Sequence, residues 1–88
     1  MKAVILYKPN TELETSVNEY VREFARQTGR SIALIDNDSV QGIEVAKLYD
    51  ILQTPAILVF RDDGSLIETW IEREKWPTIS ELSFYNQS

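Results

Sequence analysis

The 88-residue chain contains no cysteine and no histidine. Without cysteine it can form no disulfide, present no thiolate nucleophile and build no Cys-type zinc site. Without histidine it lacks the commonest general base and the commonest metal ligand. Bases are scarce as well: nine Lys and Arg stand against 14 Asp and Glu, a net charge of −5. They are scattered (Lys2, Lys8, Arg22, Arg26, Arg30, Lys47, Arg61, Arg73, Lys75) and form no basic stripe. That argues against a nucleic-acid backbone and against an anionic membrane surface as partner. Three glycines and three prolines leave no low-complexity linker. No apolar run approaches the ~18 residues of a transmembrane helix, and the run after Met1-Lys2 is too short for a signal-peptide core. The expectation is one cytoplasmic domain over residues 1–88, a monomer or weak dimer, with no metal and no cofactor.

What is present begins with unbroken apolar runs. Residues 3–7 (Ala-Val-Ile-Leu-Tyr) and 56–60 (Ala-Ile-Leu-Val-Phe) read as strands buried on both faces. After Lys8-Pro9-Asn10, Thr11-Glu12-Leu13-Glu14 has the form of a capping box. In it the Thr11 hydroxyl accepts the Glu14 amide and the Glu14 carboxylate accepts the Thr11 amide. The following helix has Leu13, Val17, Tyr20, Val21, Phe24 and Ala25 on one stripe and ends at Gly29. Residues 31–35 read as a second strand, parallel to the first across this helix.

Asp38 or Ser39 caps a second helix, about residues 40–50, whose apolar positions are Val40, Ile43, Val45, Ala46, Leu48 and Tyr49. Gly42 inside it costs roughly 1 kcal/mol relative to Ala. Asp62-Asp63-Gly64 between runs 56–60 and 66–71 marks a hairpin. Glu72-Arg73-Glu74-Lys75 reads as solvated. Residues 76–82 read as a last helix with Pro77 at its first position, docked through Trp76, Ile79, Leu82 and Phe84. Trp70, Trp76, Phe84 and Tyr85 read as one aromatic cluster, and Asn86-Gln87-Ser88 as a fraying end.

The order β-α-β-α-β-β-α, with Thr54-Pro55 directly before the third strand, resembles the thioredoxin fold and, in its short form, the glutaredoxins. Residues 4–14 are similar to the glutaredoxin strand and its Lys-Pro-x-Cys-x-x-Cys motif. Residues 49–60 are similar to the segment carrying the family's cis-proline, and Arg61-Asp62-Asp63-Gly64 to its hairpin turn. The resemblance implies an α/β fold with a four-stranded mixed sheet, order 2-1-3-4, flanked by helices on both faces. It further implies a cis bond before Pro55, a Thr54 backbone able to pair with an extended peptide or glutathione, and Lys8 as a contact for the glutathione carboxylate.

Thr11 stands where the family has its nucleophilic cysteine and Glu14 where it has the resolving one. A hydroxyl there stays protonated and forms no disulfide, so dithiol exchange is excluded. The family's glycine-rich glutathione turn after the last strand is replaced by Glu72-Arg73-Glu74.

Three functions stay open. The first is a non-catalytic binding module using Lys8, Thr11, Glu14, Thr54, Pro55 and the 72–75 loop to hold a protein or peptide. The second is a glutathione-binding, transferase-like domain using the Thr11 or Tyr7 hydroxyl. The third is an oligomerising regulator of this fold. Capping accounts for Thr11 and Glu14 without catalysis. Tyr7 and Tyr49 read as core and rim aromatics, and Asp36, Asp38 and Asp50 as turn and cap residues rather than Ca²⁺ ligands.

Overall fold

The computed structural model describes residues 2–85 of the chain. The fraying expected at Asn86-Gln87-Ser88 lies outside them. Two strands, β1 (Lys2–Tyr7) and β3 (Ala56–Phe60), form the centre of a four-stranded sheet of order β2-β1-β3-β4. They are central because consecutive side chains from Ala3 to Tyr7 and from Ala56 to Phe60, pointing to opposite faces, are all apolar. Ala3, Ile5, Ile57 and Val59 face one side, where they meet Val17, Tyr20 and Phe24 of α1 (Glu12–Thr28) and Leu82 of α3 (Ile79–Tyr85). Val4, Leu6, Ala56 and Leu58 face the other, under Val45 and Ala46 of α2 (Val40–Leu48). Ile5, Leu6, Ile57 and Leu58 are fully buried. Each contributes about 1.5–3 kcal/mol by leaving water. The outer strands are β2 (Ala33–Asp36), parallel to β1, and β4 (Leu66–Trp70), antiparallel to β3. β1 and β3 are themselves antiparallel.

Gly29 ends α1 in the left-handed region, φ 73°, and its N–H donates to the Ala25 carbonyl. The strand expected at 31–35 runs from Ala33 to Asp36 instead. Residues 30–32 are spent returning from the helix, and Ile32 is buried in the α1-side core rather than paired in the ladder. On the far end, Asp36 pairs with Tyr7, and the Asn37 N–H donates to the Tyr7 carbonyl at 2.7 Å.

Ser39 caps α2, accepting the Gly42 N–H at 2.9 Å. The helix stops at Leu48, short of the expected residue 50. Asp50 adopts φ 55° and the Ile51 N–H returns to the Ala46 carbonyl, a six-to-one closure. Only part of its apolar set docks. Val45, Ala46 and Tyr49 face the sheet, whereas Val40, Ile43 and Leu48 are exposed. The cause is Gly42, which is buried; a Cβ there would lie 2.0 Å from the Asp36 carbonyl oxygen. The helix therefore lies on its glycine side, and the glycine read as a cost is what allows the approach.

The last helix also differs from expectation. Trp76, preceding a proline, is extended at ψ 149°. Pro77 thus lies outside the helix, and α3 starts at Ile79. The Thr78 hydroxyl accepts the Glu81 N–H at 3.2 Å, and the Glu81 carboxylate accepts the Thr78 N–H at 3.4 Å. Phe84 is exposed rather than docked. The aromatics form two groups: Trp76 packs edge-on to Tyr20 at 5.1 Å, while Tyr85 stacks against Trp70 and Phe84. No helix among the described residues is long and apolar enough to cross a membrane.

Candidate functional site

β1 delivers Tyr7 and Lys8 to the end of the sheet where α1 starts. Asn10, at φ 63°, turns the chain there. The capping box expected at Thr11 and Glu14 does not form. The Thr11 hydroxyl points back and donates to the Lys8 carbonyl at 2.9 Å, and the Glu14 carboxylate accepts the Asn10 N–H at 3.0 Å, one residue earlier than expected. The carbonyl of Lys8 takes the Thr11 hydroxyl, and the left-handed Asn10 brings its own amide to the Glu14 carboxylate. Between Thr11 and Glu14 only the backbone bond remains, Glu14 N–H to Thr11 carbonyl at 3.1 Å.

The loop after α2 supplies the opposite wall. The Thr54–Pro55 peptide is cis, Pro55 is buried and Thr54 half-buried. These two loops and the first turns of α1 enclose a cleft of about 130 Å³ lined by Tyr7, Lys8, Thr11, Leu13, Glu14, Val17, Thr54 and Pro55. The five residues singled out from sequence, Lys8, Thr11, Glu14, Thr54 and Pro55, thus share one wall-to-wall space. Tyr7, read as core, belongs to it too. Leu13, expected on the buried stripe, is 42 % exposed at this mouth. Residues 72–75 are not among the lining residues.

The chemistry of the cleft is limited by its size and by commitments already made. Pockets that enclose whole small molecules run to about 300–1,000 Å³. The hydroxyl and the carboxylate at the helix start are both engaged with backbone. Lys8 is exposed and places its charge at the rim.

Leu52, two residues before Thr54, is 93 % exposed, an apolar side chain left on the same loop. Sequence reasoning missed Arg73. Its Nε donates to Ser16 Oγ at 2.8 Å, and its guanidinium lies 4.8 Å from the Trp76 ring centroid and 5.4 Å from that of Tyr20. The charged run 72–75 is therefore solvated only in part: it forms one 3-10 turn, with Lys75 and Glu72 paired at 3.5 Å outside and Arg73 half-buried against α1. An arginine between two aromatic residues far apart in sequence gives no local signal.

No family model matches the chain, and no curated protein matches it.

Proposed function

We propose that this chain is a thioredoxin-fold domain that has no dithiol chemistry and serves in the cytoplasm as a non-catalytic binding module. The cleft at Tyr7, Lys8, Thr11, Thr54 and Pro55 takes a side chain of a protein or peptide partner. The observation that carries the reading is the meeting of both loops in one space too small for a whole cofactor, with its hydroxyl and carboxylate already tied to backbone. Leu13 and Leu52, both exposed, add apolar contact at the mouth, and Lys8 favours an acidic group at the rim. The strand order and the helices on both faces support the fold assignment.

Glutathione separates this reading from a transferase-like one. Calorimetry with reduced glutathione is expected to give no heat at about 5 mM, weaker than any specific site. Saturable heat that disappears in Lys8→Ala would replace the proposal with glutathione binding. Solution mass tests the oligomerising alternative: a monomer is expected, and a stable oligomer would favour that alternative.

A further inference from the structure

The sheet is unequally covered. On one face α1, 17 residues long, packs together with α3; on the other the 9-residue α2 lies alone. What α2 leaves open is a cleft of about 440 Å³ between the helix and the β3–β4 turn. Its apolar wall is Val4, Ile35, Val45 and Phe60, and the Tyr49 ring centroid lies 5.3 Å from that of Phe60. Lys2 and Arg61 line it as well, Lys2 on the same strand face as Val4 by the two-residue alternation. In a chain of net charge −5, two of nine bases converge here. Asp62 stands on the same rim, and Asp63, next in the turn, lies within the field of the Arg61 charge, which disfavours a polyanion such as a diphosphate.

We infer that this second cleft binds a small aromatic monocarboxylate. Its ring lies against Phe60 and Val45, and its carboxylate reaches Lys2 and Arg61. The volume falls in the range of small-molecule sites, where apolar walls supply affinity and a few polar groups fix orientation. Aromatic stacking on Phe60 favours a ring over a branched chain. The exposed Gln41 side chain on α2 offers an amide to the same mouth. The site is independent of the cleft at Pro55, with which it shares no lining residue.

The test is an amide-resolved NMR titration of the full chain with 2-naphthoate, and in parallel with neutral 2-naphthylmethanol. Shifts are expected at Val4, Ile35, Gln41, Val45 and Arg61. The double variant Lys2→Gln, Arg61→Gln changes only exposed side chains, so it keeps the fold. It should weaken naphthoate about three- to tenfold, the range of partly exposed ion pairs, and leave naphthylmethanol unchanged. Gln41→Trp, also exposed, should block both ligands. The inference is overturned if no saturable shift appears by about 1 mM, a concentration that detects even weak specific binding. It is equally overturned if the double variant binds naphthoate as well as the parent, if Gln41→Trp changes nothing, or if the shifts centre on Tyr7 to Leu13.

Discussion

At the residue scale, two side-chain environments decide more than the composition suggests. Gly42 lets α2 approach β2, and a methyl group there would meet the Asp36 carbonyl oxygen at 2.0 Å. Gly42→Ala, stabilising in an isolated helix, is expected to destabilise this protein by about 1–3 kcal/mol, the cost of overpacking. Urea unfolding measures it, and a gain in stability would show that α2 does not lie on its glycine face. Tyr20 is the second. Burial pushes its phenol from 10.0 up to about 12, against the lowering effect of the Arg73 charge, and its O–H donates to the Pro77 carbonyl at 3.0 Å. The neutral phenol is favoured in the folded state, so this contribution is intact below pH 10 and is lost as pH rises toward about 12. The difference in melting temperature between the parent and Tyr20→Phe should narrow across that window; a constant difference would mean that the phenol titrates normally.

At the element scale, one motif occurs twice with different outcomes. Thr78-x-x-Glu81 closes as a reciprocal cap, whereas Thr11-x-x-Glu14 does not. The spacing is the same, but the preceding residues differ. An extended Trp76 leads into Pro77 and Thr78, whereas a left-handed Asn10 precedes Thr11, whose hydroxyl donates to the Lys8 carbonyl. Thr78→Ala is therefore expected to cost about 0.5–2 kcal/mol, the usual loss of a cap. Thr11→Ala removes only a bond to an exposed carbonyl that water can replace, and should cost less. Thermal melts of the two variants give the order, and a larger loss at Thr11 would contradict the geometry.

The same contrast explains what the sequence could reveal about the elements. The central strands were legible because every side chain in residues 3–7 and 56–60 is apolar, and α1 because its stripe ends on Gly29. The start of α3 required the rule that a residue before proline leaves the helical region, and Trp76 obeys it. The face of α2 was hidden because its exposed Val40, Ile43 and Leu48 mimic a docked stripe.

On the scale of the whole molecule, the strand order and the meeting of Thr11 with Pro55 were legible from the resemblance in element order, since each loop follows a strand or helix whose type was clear. The commitments inside the cleft were not, because the direction of a hydroxyl depends on a backbone turn that no spacing encodes. Arg73 was hidden for a related reason: its partners Ser16 and Tyr20 lie on α1, more than fifty residues away in the chain. The second cleft was also invisible, since Lys2 and Arg61 are isolated in the chain and converge only when β1 pairs with β3. Among the described residues the molecule carries at least two openings, which share no lining residue. Thiol chemistry is closed to both by composition.

A photo-crosslinking scan tests the central claim, that the Pro55 cleft is a contact surface. Benzoylphenylalanine is placed singly at Leu13, at Leu52 and, as a control on the far turn of α1, at Arg26. In extract, Leu13 and Leu52 should give the same discrete adduct, competed by unlabelled parent protein and not by Lys8→Glu, while Arg26 gives none. No adduct from Leu13 or Leu52, or an equal adduct from Arg26, would contradict the account.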